Sequence, residues 1–472
     1  MSEETNSHTT SSPADNKQLG KALRKQVPRA SHGDWEPAPD RPDPISLLME
    51  QDTSRLQHLI PIKYGRMLES PFAFLRGSAV VMASDLSASP TTGIKVVLCG
   101  DAHLANFGLF ATPERKLVFD INDFDEAYPG PWEWDLKRLA ASAVVAGRGI
   151  GFNDKDCRDL AVTMTRTYQL AMTRFAQAHT LDVWYYHVDV DDVQKVFEQS
   201  SKRGKKRTAK LVKKARTRTH QATMEKLTKL EAGRRRIISD PPLLVPFRDM
   251  GLEKNLGEDE LRKLTKQSIE DSWNQYLESL PDERRYLLQH YQITDAALRV
   301  GGVGSVGTRC IIVLLEGDKE QDTLILQLKE SGPSVLESYL GEGSYKSAGQ
   351  RVVTGQHLIQ AASDIFLGWH TTKFTGRDFY WRQLKDMKGS ADVAGMDKAS
   401  LETYLGVCSV CLARAHARTG DEVGIAAYLG KNDRFANAVA DFAVAYADQT
   451  ERDYQALLDA EKLGRIIAER GI

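Results

Sequence analysis

No stretch of the 472-residue chain approaches the roughly 20 consecutive apolar residues that a membrane-spanning helix needs. The polar N-terminus also lacks the apolar centre of a secretory signal. These two absences lead us to expect a cytoplasmic protein without a membrane partner. Cysteine is scarce: the five present, Cys99, Cys157, Cys310, Cys408 and Cys411, are odd in number and scattered, which argues against a disulfide framework. Cys408 and Cys411 form a CxxC, but it sits inside the helical pattern LGVCSVCLARAHA with no second pair to complete a zinc site, so both are expected to be core residues. Aromatic side chains are missing from the one strongly charged stretch, residues 202–236, which carries fifteen Lys and Arg against two Glu. Such a run attracts phosphate-rich partners, yet it offers nothing on which bases could stack. A nucleic-acid partner and a solvated helical insertion both remain open for it.

The remaining composition is that of a globular chain, 41% hydrophobic and 27% charged with a net charge of −1, and long enough for two or three domains. Residues 1–43 are rich in Ser, Thr, Pro and charge, and are expected to be disordered or loosely attached. From Pro44 to about residue 290 the pattern is mostly helical, with the basic insertion inside it. Residues 291–388 contain LRVGGVG, TRCIIVLLEG and TLILQLKE, three β-branched-rich stretches that read as an antiparallel meander, followed by helical patterns in PSVLESYL and KSAGQRVVTGQHLIQAAS. Residues 389–472 return to helix. The expected class is α+β, with a small sheet between two helical parts.

Chemistry-bearing residues concentrate at two places. GIKVVLCG reads as a buried strand that delivers the loop CGDAHLANFG. NFGLFA and KLVFDIN, separated by TPER, read as a hairpin that would bring Asn106 opposite Asn122 and Asp123 at its open end. Phosphoryl transfer from ATP needs a carboxylate near the acceptor hydroxyl, oxygen ligands for magnesium, a cation on the phosphates and backbone amides over them. Asp101 and Asn106 have the spacing of a base and a metal ligand on a kinase catalytic loop, and Asp123 supplies an anionic metal ligand. The second place is GVGSVG. Gly302, Gly304 and Gly307 precede a strand pattern rather than a helix, which suits a glycine hairpin folded over phosphates better than a dinucleotide-binding turn. Lys329 ends the next strand and is the candidate phosphate contact. Its partner is either Glu337, in PSVLESYL, or lies on the longer helix containing Gln356, in which case the usual ion pair is altered.

GDAHLAN followed by NDFDEAYPGPWEWDLKRLA resembles the aminoglycoside-phosphotransferase and choline-kinase branch of the kinase superfamily, whose pattern is HGDxHxxN, a short hairpin, IDF and a later DLA. The resemblance implies that Asp101 is the catalytic aspartate, Asn106 and Asp123 the metal ligands, and Asp135 a structural aspartate. The chain has Cys99 in place of the first histidine of that pattern, and adds Asp120 and Asp125, so the metal-binding carboxylate stays open among Asp120, Asp123 and Asp125. Through RMLESPFAFLRG, VGGVGSVGTRC and RDFYWRQLKDMKGS nearly the whole chain also resembles the bacterial family called domain of unknown function 2252, which brings no substrate with it.

In a kinase the glycine loop and lysine precede the catalytic loop; here they follow it, as does TYLGVCSVCLARAHAR, which resembles the helix leading into HGD. The implied fold is therefore kinase-like, two-lobed and circularly permuted, which surface ends lying close together permit. The expected activity is ATP- and magnesium-dependent phosphotransfer to a small-molecule acceptor. A nucleotide-binding protein without turnover, an AMP-transferring enzyme and a nucleic-acid binder acting through 202–236 are the alternatives.

Overall fold

Four long helices, Glu133–Ile150, Asp154–Phe175, Lys398–Thr419 and Arg434–Lys462, form the centre of the larger part of the molecule. The structure is a computed structural model and describes residues 12–250, 258–319, 322–373, 375–384 and 387–472, the side chains of 258–266 excepted. Helix Glu133–Ile150 explains its own position: Leu136, Leu139, Ala140, Ala143 and Val144 are all fully buried, and a helix apolar nearly all round must lie inside other elements. It stops at Gly151, whose φ of 96° supplies the left-handed residue that closes a helix. Among the described residues no helix is long and apolar enough to cross a membrane.

Two sheets matter for the site, and the fold is mixed α+β. The lower one has the order Gly389–Ser390, Phe107–Ala111, Leu117–Ile121, Val188–Asp189, and Phe107 pairs with Ile121 in the expected hairpin. Beside it, Lys95–Leu98 pairs antiparallel with Tyr128–Pro131. The upper sheet is antiparallel throughout, with the order Gly368–Thr371, Asp378–Gln383, Thr323–Ser331, Cys310–Gly317, Tyr291–Arg299, Leu244–Pro246. Its first long strand lies before LRVGGVG, which mostly forms the following loop.

Three expectations need correction. Residues 1–11 lie outside the described residues, but 12–43 are ordered. Helix Pro13–Gln26 opens with a capping box between Ser12 and Asp15, and its Gly20 meets the backbone of Gly424 so closely that a Cβ would lie 2.2 Å from the Gly424 carbonyl oxygen. Arg24 donates to the Tyr428 carbonyl (2.9 Å), and buried His32 meets the Tyr428 hydroxyl at 2.7 Å. Charge that reads as disorder in composition is spent here on specific partners. Secondly, the basic run is not all helix: Lys202–Thr217 and His220–Leu227 are helical, but Thr228–Glu231 and Arg234–Ile237 form a hairpin. Thirdly, the upper sheet's packing starts well before residue 291. Met224, Ile237 and Leu244 share a core with Ala297, Ile312 and Leu314, and Tyr276 stacks on Trp381 at 4.4 Å between ring centroids.

Arg41 tests the docking of the N-terminal segment, because its guanidinium bridges Asp85 (2.6 Å) and Asp453 (2.6 Å), both nearly buried. Arg41→Ala should cost about 3–5 kcal/mol in urea unfolding, as breaking a buried ion pair does. Arg158→Ala, which removes an exposed pair with Asp441, should cost no more than about 1 kcal/mol.

Candidate active site

The loop CGDAHLANFG turns out of its strand at Gly100, with φ 78°. A Cβ there would lie 2.2 Å from the Glu126 carbonyl oxygen, so only glycine fits. Asp135, in the first turn of helix Glu133–Ile150, accepts the N–H groups of Cys99 (2.8 Å) and Gly100 (3.0 Å) and fixes the start of the loop. Asn106 closes it. Its Nδ2 donates to the carbonyls of Asp101 (3.0 Å) and Asp123 (3.2 Å), while its own carbonyl accepts the Asn122 N–H (2.9 Å). This leaves Asn106 Oδ1 as an oxygen donor beside Asp123 at the open end of the hairpin.

Asp101 Oδ1 is gripped by Nε and Nη2 of Arg138, both at 2.5 Å. Arg138 lies three residues after Asp135, on the same helix face. Asp101 Oδ2 lies 3.6 Å from His103 Nε2. Burial pushes His103 down to about 4, so that ring is neutral at pH 7.

Above this loop sits strand Thr323–Ser331. Lys329 and Gln327, two residues apart, lie on one face of it, and across the ladder they pair with Tyr380 and Arg382. The Lys329 ammonium lies 3.6 Å from Asp123 Oδ1 and in closer contact still with Asp125 Oδ2; the Tyr380 hydroxyl donates to Asp125 Oδ1 (2.8 Å). Burial works against the charge on Lys329, but Asp123 and Asp125 outweigh it and hold the ammonium well above its ordinary range. For Asp123, burial is likewise outweighed by Lys329 and Arg382, so its carboxyl lies below the usual range. Asp125 is raised, by burial and then by repulsion from Asp123.

The glycine loop connects two paired strands, Tyr291–Arg299 and Cys310–Gly317. Arginines from the N-terminal part of the chain hold its carbonyls: Arg55 donates to Gly304 (2.9 Å) and Val306 (2.5 Å), and Arg66 to Gly301. A Cβ on Gly302 would meet nothing within 4 Å, and one on Gly304 only the Arg76 carbonyl oxygen at 3.4 Å. A cleft of about 510 Å³ separates the loop from the lower sheet, and Asp101, Asn106, Asp123, Gly302, Gly304 and Lys329 all line it.

Two candidates fall outside this cleft. Gly307 (φ 89°) packs on Arg55 and Ile60 instead. Glu337 is not the partner of Lys329. It begins a single short turn, accepts the Ser334 N–H (2.9 Å) and lies 3.5 Å from Arg351 Nε. Gln356 donates to Gln360 (2.8 Å), so the partners of Lys329 come from the lower sheet rather than from a helix. Asp120 is excluded as a metal ligand, because Arg414 holds both of its oxygens (2.7 and 2.8 Å) in the core.

Asp123 and Asn106 carry the kind of hard oxygen donor that would hold a magnesium ion, which ordinarily takes only one or two carboxylates and completes its shell with water and phosphate oxygens. Among the described residues no group of three His, Cys, Asp or Glu side chains is placed to hold a metal ion.

A family model described as "Uncharacterized protein conserved in bacteria (DUF2252)" matches residues 55–460. The chain belongs to the DUF2252 family. No curated protein and no solved structure matches it. The DUF2252 match includes every cleft residue named above. In this DUF2252 chain the sequence reading passed over Arg76, Arg138, Arg382 and Lys388, which also reach the cleft or its loop. Arg138 carried a usable signal, its three-residue spacing from Asp135. The other three carried none, since sequence alone does not show which faces meet across the cleft. Cys408 and Cys411 are buried.

Lys329→Met leaves Asp123 and Asp125 facing each other without their cation. The variant should melt below the wild type at about pH 8, and the deficit should shrink toward about pH 5 as the carboxyls, now raised, take up protons. A deficit independent of pH would mean that the lysine does not hold the two carboxylates apart.

Proposed function

We propose that this chain is an ATP- and magnesium-dependent transferase of kinase-like, circularly permuted fold that modifies a small-molecule acceptor. The observation that carries the reading is the approach of Lys329, on a strand of the upper sheet, to Asp123, just after a strand of the lower one, 3.6 Å apart across the cleft. No local rule brings them together, whereas a nucleotide clamp needs both a cation for the phosphates and a carboxylate for the metal. The permuted order has support of its own. Helix Lys398–Thr419 ends against the strand that feeds the catalytic loop: the Thr419 hydroxyl accepts the Val97 N–H (3.1 Å), and a Cβ on Gly420 would lie 2.8 Å from the Lys95 carbonyl oxygen. A chain of ordinary kinase order would run directly from Gly420 into Lys95.

On this reading Asp101 Oδ2 accepts the acceptor's proton, while Arg138 on Oδ1 fixes the direction in which the carboxylate points. Asn106 and Asp123 hold magnesium, which when bound neutralises phosphate charge. Lys329 exchanges its carboxylate partners for phosphate oxygens, and the backbone at Gly302 and Gly304 covers the phosphates. Phosphoryl transfer is the default reaction of such parts, but which phosphorus is attacked depends on which end of the nucleotide lies deepest.

Calorimetric titration with MgATP tests the reading. Gly304→Val, whose Cβ would meet only the Arg76 carbonyl oxygen at 3.4 Å, should keep its melting temperature and weaken binding at least about tenfold, since the branch occupies the phosphate position. Asp123→Asn should raise the magnesium requirement, and Asp101→Asn should bind MgATP normally while losing turnover. Wild-type affinity in both Gly304→Val and Asp123→Asn would overturn the assignment. MgATP binding with no turnover across a metabolite panel would favour a nucleotide-binding protein without catalysis.

A further inference from the structure

The two ends of the nucleotide cleft differ in chemistry. Gln327, Arg382, Lys388 and, from helix Pro71–Gly77, Arg76 line the inner end. A nucleotide base is normally received by apolar and aromatic surface, and among the described residues this cavity has no Phe, Tyr or Trp in its lining. Arg382 Nε donates to Gln327 Oε1 (3.0 Å), and among the described residues Arg76, Arg382 and Lys388 form no ion pair with a carboxylate, in contrast to Lys329. Arg76 Nε is buried without a hydrogen-bond partner. Burial, followed by the neighbouring Arg382, pushes Lys388 down to about 7. Such a set of cations is completed by an anion.

The outer end opens into a second cavity of about 480 Å³, which shares Arg55, Asp125 and Gly304 with the first. It contains Tyr128 and Tyr345, together with carboxylates that already have cationic partners: Glu330 is met by Arg377 (2.5 Å) and Arg309 (3.1 Å), and Glu337 by Arg351 (3.5 Å). Aromatic faces suit a base, and carboxylates suit ribose hydroxyls.

Resting on the reading of this cleft as a nucleotide site, we propose that ATP lies with its β- and γ-phosphates on Arg76, Arg382 and Lys388 and its adenosine toward Tyr128 and Tyr345, so that the group transferred is AMP. The acceptor oxygen attacks the α-phosphorus, and the bond from that phosphorus to the oxygen bridging the β-phosphate breaks. Pyrophosphate departs on the inner cations, and the acceptor's proton passes to Asp101. The products are an adenylylated acceptor and pyrophosphate.

The test titrates the full chain separately with adenosine, magnesium tripolyphosphate and MgATP. Arg382→Met and Lys388→Met should each weaken tripolyphosphate and ATP by about ten- to a hundredfold, the worth of a charged hydrogen bond, and leave adenosine unchanged. Tyr345→Ala should weaken adenosine and ATP while leaving tripolyphosphate unchanged. If the Arg382 and Lys388 variants bind tripolyphosphate as the wild type does, or lose adenosine instead, the orientation is wrong although the nucleotide site stands. If wild-type protein binds none of the three, the reading of the cleft itself fails. Reaction products give an independent check: pyrophosphate and an adenylylated acceptor are expected, and ADP with a phosphorylated acceptor would contradict the proposal. Arg382 and Lys388 lie on different segments, so either variant carries the test if the other does not fold.

Discussion

A lysine ammonium leaves water only at considerable cost unless carboxylates meet it, and Lys329 is almost fully buried between Asp123 and Asp125. The lysine belongs to the upper sheet, whereas the carboxylates follow a strand of the lower one. Satisfying this one cation therefore fixes how the two sheets face each other. Tyr380 reinforces the contact from the next strand through its bond to Asp125. The space left beside the contact is the cleft, and its chemistry follows from which strand faces look into it.

The lower wall of the cleft is rigid because buried charges hold it. Asp135 takes two loop N–H groups, Arg138 takes Asp101, and Arg414 takes Asp120 while also donating to the Ile359 carbonyl (2.9 Å). Each of these is a charge-assisted bond in a place where an unpaired partner would be costly. The upper wall is held less directly. Arg55 and Arg66 fasten the glycine loop by its carbonyls, and both come from the N-terminal part of the chain. Helix Pro13–Gln26 and Arg41 tie the segment before them to the C-terminal helices. Early and late parts of the sequence are thus interleaved around one cleft.

The loop CGDAHLANFG and its hairpin were legible in the sequence, because glycine, asparagine and a proline turn sit at intervals that local backbone rules decode, and Phe107 pairs with Ile121 as those rules imply. The upper meander was legible through its β-branched runs. Three things were not. Residues 12–43 looked disordered because composition counts charges without showing that Arg24 and Arg41 have partners far away in the chain. Order along the sequence offers Glu337 or the helix containing Gln356 as partner of Lys329, but the helix at Glu337 shortens to one turn and the carboxylates follow a strand of the other sheet. The cationic inner end was invisible because Arg382 lies in RDFYWRQLKD, where either strand face could point outward, and only the register with Gln327 places it in the cleft.

The central claim is that a nucleotide and its metal join the two sheets at Asp123 and Lys329. The most direct measurement is a structure of the full chain with magnesium and a non-hydrolysable ATP analogue. The account predicts a metal ion about 2.0–2.1 Å from Asp123 and from Asn106 Oδ1, with Lys329 turned from its carboxylates onto phosphate oxygen. A nucleotide bound elsewhere, with Lys329 still paired to Asp123 and Asp125, would contradict it.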